Sequence, residues 1–299
     1  MIGLQNPGGF IFLNAILQNL SNIGRLRLYL LNKNIYNDLK ENKETKKLSF
    51  ALTEVLYNLW ENLKQSYYSP EEFKKLIYEM NITANSPKDL ILFLLIKIHK
   101  ELNIPQTNLT SIKNIVPDPR DFKAVYNDFY NFYFSKNKSI ISDEFYGTSN
   151  NILTCSNCST TIHSIQETKS LFMPLEEVRK FKDNNNNCLG INDCFEYYEK
   201  LDILPDYYCK YCQRSYQVFC RRKIIHAPKY LIINLNSDAK IKFNVNIILE
   251  EYLNIEKYVS VPDSPYYYEL TGAICHFDSN DMGEHFIAFC KNFNTCKMV

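Results

Sequence analysis

The chain lacks a clear excess of charge of either sign. Its 34 basic and 33 acidic side chains leave a formal net charge of +1 over 299 residues. Proteins that bind nucleic acid or anionic membranes through their overall charge usually carry a strong basic excess. The composition therefore indicates neither nucleic acid nor membrane as a partner.

A long hydrophobic segment is also missing. No apolar run approaches the roughly 18–20 residues that a membrane-spanning helix needs. The N-terminus has neither the basic stretch nor the small-residue cleavage site of a secretory signal peptide. We therefore expect a cytoplasmic or nuclear protein, in which the ten cysteines are reduced and pairs of them are better candidates for metal ligands than for disulfides.

The two halves of the chain have different residue patterns. Apolar residues at helical spacing predict helices over Phe10–Leu31, Leu48–Leu63, Ser69–Tyr78 and Leu90–Leu102, with a solvated loop at Asn32–Lys47. Beyond about residue 140, short β-favouring runs predict strands at Thr160–Ile165, Tyr216–Ile225, Tyr230–Leu235, Lys240–Val245, Tyr266–His276 and His285–Cys290. A helical first half and a stranded second half indicate an α+β protein.

Two further stretches have unusual composition. Asp118–Ser135 is rich in aromatic residues and fits neither the helical nor the strand period clearly. Asp183–Asn187 is a polar tract that predicts an exposed loop tip. The sequence contains no internal repeat, which favours a single globular domain over a repeat array.

Four of the ten cysteines form two Cys-x-x-Cys pairs, Cys155 with Cys158 and Cys209 with Cys212. This spacing lets two thiolates from one turn bind a tetrahedral ion. Because 50 residues separate the pairs, the intervening chain must leave and return, as two hairpins joined by a protruding segment would. The pattern predicts a structural zinc ion, since four protein ligands leave no open position. The alternative is two unrelated turns with reduced thiols.

A tight turn followed by an apolar helix opens the chain. Gly3–Gly9 is rich in Gly, Asn and Pro, and Ile11–Leu20 has apolar residues close to helical spacing. The backbone N–H groups and positive dipole at such a helix N-terminus suit an anionic nucleophile. This stretch resembles the cysteine box of the ubiquitin-specific proteases, whose pattern is Gly-Leu-x-Asn-x-Gly-Asn-Thr-Cys-Tyr-x-Asn-x-x-Leu-Gln. The nucleophile position of that pattern falls on Ile11.

The resemblance continues along nearly the whole chain. Further segments similar to the family are Leu52–Phe73, Phe145–Gly147 before the first cysteine pair, Ser170–Leu175, Ile191–Tyr198 before the second pair, Ala227–Leu235 and Gly283–Cys290. It implies a papain-like cysteine-peptidase fold in one domain over residues 1–299, with a helical thumb (1–135), zinc-bearing β fingers (140–225) and a β palm (226–299). It also implies that the fingers hold ubiquitin.

The catalytic positions depart from the family. In its members a cysteine thiolate attacks the carbonyl at the C-terminus of ubiquitin, a histidine activates the thiol, an Asp or Asn orients the histidine, and an Asn stabilises the oxyanion. By this resemblance Asn6 takes the oxyanion position and His285 the base position, but Ile11 has no nucleophilic atom. The orienting residue has no match before Val299. Loss of a nucleophile costs on the order of a million-fold in rate.

Each of these positions also has a structural interpretation. Asn6 could satisfy backbone groups of the turn, and His285 could be a hydrogen-bonded structural histidine. Ile11 is expected to pack between thumb and palm, where burial of its side chain would contribute roughly 1.5–3 kcal/mol. The six other cysteines are expected to act as small apolar residues. Cys290 is expected to face away from His285, five positions along one strand, and Cys275 has no nucleophile context, so neither is expected to replace the missing cysteine.

The groove for the ubiquitin tail also departs from the family. The family's Gln-Gln-Asp-Ala-x-Glu-Phe box meets the arginine-bearing tail; here Asp89 retains one acid, Ser86 replaces the other and Lys88 adds the opposite charge. Glu284 stands where the family has glycine, and its side chain would crowd the terminal Gly-Gly of the ligand. Each lost charge-assisted contact costs about 1.5–3 kcal/mol. These departures say nothing against contact with the globular face of ubiquitin, which the resemblance assigns to the fingers and palm.

The sequence supports three interpretations. The first is an inactive member of the family that serves as a ubiquitin-binding or scaffold subunit of a larger complex. The second is an active thiol hydrolase, if position 11 or the C-terminus differs in the natural chain. The third is an interaction module that no longer binds ubiquitin.

Overall fold

The structure is a computed structural model. It describes residues 2–5, 11–62, 64–82, 84–105, 116–182, 188–235, 245–261, 263–279, 283–292 and 297–298. The chain divides into two compact units. Unit 1 comprises Met1–Asn103, Ser139–Ile141 and Leu270–Val299, and unit 2 comprises Ile104–Lys138 and Ser142–Glu269.

The described residues contain both helices and strands. The helices are α1 (Leu13–Ser21), α2 (Gly24–Leu30), α3 (Lys33–Glu41), α4 (Lys47–Trp60), α5 (Glu71–Glu79), α6 (Pro87–Leu102), α7 (Phe122–Lys136), α8 (Ile140–Phe145), α9 (Leu175–Phe181) and α10 (Ile191–Tyr198), with a 3-10 turn at Glu256–Tyr258. The strands are β1 (Gly3–Leu4), β2 (Tyr67–Tyr68), β3 (Gly147–Cys155), β4 (Thr161–Thr168), β5 (Leu171–Met173), β6 (Cys188–Gly190), β7 (Asp202–Cys209), β8 (Arg214–His226), β9 (Ile233–Leu235), β10 (Asn246–Ile248), β11 (Tyr252–Asn254), β12 (Tyr267–Glu269), β13 (Gly272–Ser279), β14 (Gly283–Asn292) and β15 (Lys297–Met298). The predicted α+β class is confirmed.

The helices α4, α5 and α6 of unit 1 form where the sequence patterns predict them, whereas the helix predicted over Phe10–Leu31 is divided into α1 and α2. The apolar face of α4 is buried at Leu52, Val55, Leu56 and Leu59, and α6 begins where the Ser86 hydroxyl accepts a hydrogen bond from the backbone N–H of Asp89. The Glu101 carboxylate of α6 accepts hydrogen bonds from the backbone N–H (2.7 Å) and hydroxyl (2.7 Å) of Ser49. This carboxylate satisfies the N-terminal donors of α4, which has no side-chain cap of its own.

The prediction of a loop at Asn32–Lys47 is wrong, because α3 lies within this range. The Asn32 side chain caps this helix by accepting from the backbone N–H of Asn34 at 3.0 Å, and Leu39 is fully buried. The many Asn and Lys residues are the solvated face of an amphipathic helix, so composition alone concealed its narrow apolar face.

In unit 2, four antiparallel strands form a sheet in the order β4-β3-β8-β7. The predicted strands at Thr160–Ile165 and Tyr216–Ile225 are confirmed as β4 and β8. The residue pattern did not predict β3, a central strand with buried Thr148, Ser149 and Asn150. Strand pairing on both sides outweighs the low β propensity of those polar residues.

Unit 2 also contains an apolar core beside the sheet, contributed largely by β5, β6, α9 and α10. Its buried members are Leu171, Met173, Leu175, Val178, Leu189, Ile191, Cys194, Phe195, Tyr198, Ile224, Ala227, Val245, Ile255 and Tyr258. The pairs β5–β9 and β6–β10 are parallel, and β11–β12 is antiparallel. The polar tract Asp183–Asn187 and most of the strand predicted at Lys240–Val245 lie outside the described residues.

The two units cut across the boundaries expected for thumb, fingers and palm. Residues 104–138 group with unit 2, and residues 270–299 group with unit 1. The division of residues 1–299 into those three parts stays a prediction. No helix among the described residues has the length and hydropathy that a membrane crossing requires.

Two asparagines attach α1 to the hairpin formed by β13 and β14. The Asn19 side chain donates to the carbonyls of Ala15 (3.0 Å) and Ala273 (3.3 Å). The buried Asn22 side chain donates to the carbonyls of Thr271 (3.2 Å) and Lys291 (3.1 Å). These bonds fix the helix against both strands of the hairpin.

Gly272 permits this close approach, because a Cβ at that position would lie 1.9 Å from Asn19 Oδ1. We expect Gly272→Ala to lower the free energy of unfolding by about 1–3 kcal/mol through overpacking. Chemical denaturation measures the change. Gly24→Ala is the control, since nothing lies within 4 Å of a Cβ there. In an Asn19→Ala background the Gly272→Ala cost should fall; an undiminished cost would contradict this origin.

Candidate functional site

Position 11 lies immediately before the N-terminus of α1. The Ile11 side chain is 44% exposed, whereas that of the next residue, Phe12, is only 5% exposed. The expectation that Ile11 packs inside the protein is therefore wrong. The first turn of α1 contains no acidic residue, so the positive end of the helix is not neutralised by its own side chains. The helix N-terminus therefore favours an anion, but the side chain of residue 11 is an uncharged hydrocarbon.

His285 lies on β14, with its side chain exposed. It pairs with Phe277 of β13, and the next residue, Phe286, points to the opposite face of the hairpin. The Phe286 ring contacts the Phe12 ring edge to face, with 5.5 Å between centroids. Because Phe12 follows Ile11 and Phe286 follows His285, this contact places the two predicted catalytic positions on neighbouring elements of unit 1, with the His285 side chain on the hairpin face opposite Phe286.

His276 extends this aromatic contact and was not identified from the sequence. It pairs with Phe286 across the hairpin, and the two rings stack with 4.6 Å between centroids. Phe286 is thus held between His276 and Phe12. The sequence offered one signal: strand alternation predicts that residue 286 lies on the face opposite His285. The pairing of His276 with Phe286 depends on the register of the hairpin and could not be read from the sequence.

Neither nearby cysteine is an activated thiol. Cys290 is buried and lies on the face opposite His285, and burial raises the pKa of its thiol to about 11. Cys275 pairs with Ile287 and shares the face of His285 as its diagonal neighbour, a separation of about 7–8 Å between residues. Burial also raises the pKa of the Cys275 thiol. A raised pKa keeps both thiols protonated and weakly nucleophilic.

The predicted oxyanion residue Asn6 lies outside the described residues. Nearby, the Asn14 side chain donates to the Gln5 carbonyl at 3.0 Å. Asn14 Oδ1 and Gln18 Oε1, one turn apart on α1, are buried and have no hydrogen-bond partner among the residues that the structure describes. An unsatisfied buried acceptor costs about 1–3 kcal/mol, so a water molecule or ligand that donates here would be stabilising. Sequence reasoning missed both residues, because an amide on a helix gives no separate signal.

The two described groove residues contact each other. The Ser86 hydroxyl donates to Asp89 Oδ2 at 2.8 Å and accepts from the Asp89 backbone N–H at 3.2 Å. This reciprocal pair is a helix N-cap, and it occupies one carboxylate oxygen of the only acid retained from the family's box. The side chain of Glu284 lies outside the described residues. The predicted roles of Ser86, Asp89 and Glu284 in binding stay predictions.

The four predicted metal ligands come together in unit 2. The sulfur atoms of Cys155, Cys158, Cys209 and Cys212 all lie within 4.8 Å of one another. Cys155 Sγ is 3.9 Å from Cys212 Sγ, and Cys158 Sγ is 3.8 Å from Cys209 Sγ. Tetrahedral zinc with Zn–S bonds of about 2.3 Å places its ligands about 3.8 Å apart. The cluster therefore fits a structural zinc ion, as the sequence predicted.

The two cysteine turns have the same backbone conformation. Ser159 and Gln213, which follow the second cysteine of each pair, both have positive φ angles (53° and 56°). Their N–H groups donate to the carbonyls of the first cysteines, Cys155 and Cys209, at 3.0 and 2.8 Å. Left-handed backbone costs a non-glycine residue roughly 1–2 kcal/mol. Metal ligation by both turns offers a compensating gain.

Two thiols of the cluster have pKa values shifted in opposite directions. The Thr160 hydroxyl and backbone N–H lower the pKa of Cys158 to about 6. At Cys212 a hydrogen bond from Asn157 lowers the pKa of the thiol. Burial and the neighbouring thiols raise it by more, so that the pKa of Cys212 is about 12. Zinc must displace the protons of the remaining thiols, so its affinity falls as the pH is lowered.

We expect one zinc ion per purified chain by elemental analysis. Cys209→Ser should lose the zinc and lower the thermal midpoint, because three ligands no longer complete the tetrahedron. Cys188→Ser is the matched control, since Cys188 is exposed and outside the cluster. Equal zinc content in the Cys209→Ser variant and the wild type would contradict the assignment.

An α+β fold with a four-cysteine cluster that fits zinc is consistent with the ubiquitin-specific-protease class. The profile of the family "Ubiquitin carboxyl-terminal hydrolase" matches residues 2–298, and the chain belongs to this family. It is 25% identical over 317 residues to human ubiquitin carboxyl-terminal hydrolase 2, covering 99% of this chain and 50% of that protein. Ubiquitin carboxyl-terminal hydrolase 4 of Saccharomyces cerevisiae is 23% identical, with 97% of this chain and 35% of that protein covered.

A solved structure has the same fold. It is the yeast SAGA DUBm with an Sgf73 mutant, and it superposes with a TM-score of 0.70 at 20% identity over 98% of this chain and 61% of that chain. The predicted ubiquitin-specific-protease fold is thereby confirmed. The chain spans about half the length of the curated human relative that it matches.

Proposed function

We propose that this chain is an inactive ubiquitin-specific-protease homologue that acts as a ubiquitin-binding or scaffold subunit of a larger complex in the cytoplasm or nucleus. One observation carries the proposal: an exposed aliphatic side chain, Ile11, stands at the helix N-terminus beside the strand of His285. Family chemistry requires a thiolate there. Isoleucine has neither a proton for the histidine to remove nor a lone pair with which to attack a carbonyl.

Ubiquitin binding is supported by the parts of the fold that do not take part in catalysis. The sheet β4-β3-β8-β7 is complete, and its cysteine cluster fits zinc. In the family that region holds the globular body of ubiquitin, a contact independent of the nucleophile. A role within a complex is supported by the yeast relative, which was solved together with Sgf73.

A second function, interaction without ubiquitin binding, is favoured by the groove. The single retained acid, Asp89, is hydrogen bonded to Ser86 as part of a helix cap. A carboxylate used in this way offers less to an arginine of the ubiquitin tail, since one of its oxygens already accepts a hydrogen bond. An active hydrolase with another residue at position 11 is the remaining alternative.

Ubiquitin bearing a C-terminal electrophile tests inactivity. The wild-type chain should form no adduct that survives denaturation, because position 11 has no thiol and the pKa values of the Cys275 and Cys290 thiols are raised. In the Ile11→Cys variant the probe should react, and His285→Ala in that background should slow the reaction. A wild-type adduct would overturn the proposal, and Cys275→Ser and Cys290→Ser would locate the reacting sulfur.

Calorimetric titration separates ubiquitin binding from pure scaffolding. We expect saturable binding of ubiquitin in the micromolar range. The Kd of ubiquitin that lacks its C-terminal tail should be within about three-fold of that of intact ubiquitin, because contacts between the tail and the altered groove contribute little binding free energy. Cys209→Ser should abolish binding and Cys188→Ser should not. If intact ubiquitin does not bind, the result would favour the second function, interaction without ubiquitin binding.

A further inference from the structure

The hairpin of β11 and β12 has one face in the core and one face in solvent. Leu253 pairs with Tyr268, and both pack against the apolar core of unit 2. The opposite face carries Tyr252 paired with Glu269 and Asn254 paired with Tyr267. We call these four residues the tyrosine face.

Aromatic rings dominate the tyrosine face. Tyr252 is 46% exposed and Tyr267 is 63% exposed. Their rings stack with 6.0 Å between centroids and an interplanar angle of 18°. Ile248, Leu249 and Tyr266, which adjoin the hairpin in the sequence, are also exposed. Stacking fixes the orientation of the rings without burying them, so a partner would meet an ordered aromatic surface.

Acidic side chains adjoin these rings in the sequence. The stretch from Val245 to Glu269 contains five acidic residues and one basic residue, in a chain whose net charge is +1. The acidic residues are Glu250, Glu251, Glu256, Asp263 and Glu269, all exposed. The single base, Lys257, lies 3.6 Å from Glu196 and over the Tyr258 ring, so its charge is already offset.

This combination selects the chemistry of a partner. A second copy of the chain would bring acid against acid, which disfavours self-association through this face. A cationic side chain gains twice, from the π-face of a tyrosine and from the nearby carboxylates. Arginine fits better than lysine, because its planar guanidinium stacks on a ring and pairs with a carboxylate at the same time.

We propose that the tyrosine face is a docking site for an arginine-bearing segment of a partner protein. A guanidinium lies on the exposed rings of Tyr252 and Tyr267 and pairs with Glu269 and its acidic neighbours. The site includes neither position 11, His285 nor the cysteine cluster.

The probe is a fluorescein-labelled peptide of alternating arginine and glycine, titrated against the full chain by fluorescence anisotropy. We expect saturable binding that weakens with added salt, as exposed charge pairing does. The same peptide with lysine in place of arginine should bind several-fold more weakly.

Four variants separate this site from general charge attraction. Tyr252→Ser with Tyr267→Ser should weaken binding about ten-fold, whereas Tyr252→Phe with Tyr267→Phe, which keeps the rings, should stay within about two-fold. Glu250→Gln with Glu251→Gln should also weaken binding. The control is Tyr78→Ser with Glu72→Gln on α5, which removes one exposed ring and one exposed acid in unit 1. It should bind as the wild type does.

Three results would overturn the proposal. The first is equal binding by the wild type and the double serine variant, and the second is an equal loss of binding in the α5 control. The third is self-association of the wild type that the double serine variant abolishes, which would make a second copy the occupant. Thermal midpoints and zinc contents equal to those of the wild type establish that the variants are folded.

Discussion

The packing of α1 against β14 is the interaction on which the candidate site depends. Phe12 and Phe286 meet edge to face at 5.5 Å, and Asn19 and Asn22 tie the helix to carbonyls on both strands of the hairpin. The contact requires a residue without a side chain at position 272. Because each ring follows a predicted catalytic position, this packing places those two positions on neighbouring elements, although the His285 side chain lies on the face of the hairpin opposite Phe286.

An exposed hydrocarbon at a helix N-terminus argues against a simple gain in stability. Ile11 is 44% exposed, so burial of its side chain contributes only part of the free energy that a core isoleucine would. A cysteine at this position would have its thiol pKa lowered by the helix dipole, whereas isoleucine has no ionisable group. The proposed inactivity therefore rests on the chemistry of one side chain and requires no change in the elements around it.

The cysteine cluster and the tyrosine face are two separate features of unit 2. The cluster joins the end of β3 to the end of β7 through two turns of matching conformation, including an unfavourable positive φ in each. Four thiolate ligands give a closed site, which contributes folding energy and no catalysis. The tyrosine face lies on the hairpin β11–β12, which the core anchors through Leu253 and Tyr268. Each feature places binding chemistry on a rigid element and needs no thiol nucleophile.

The sequence alone determined the α+β class, the helices α4, α5 and α6, the metal ligands and the identity of the residue at position 11. These follow from local signals: apolar periodicity, capping residues and the short spacing within each cysteine pair. Tertiary structure decided the rest. Pairing on both sides stabilises β3 although its residues are polar. Burial of Leu39 stabilises α3, whose composition is typical of a loop. The exposure of Ile11 depends on how α1 packs. The stacked tyrosines likewise arise from a register between residues fifteen positions apart, which no local pattern specifies.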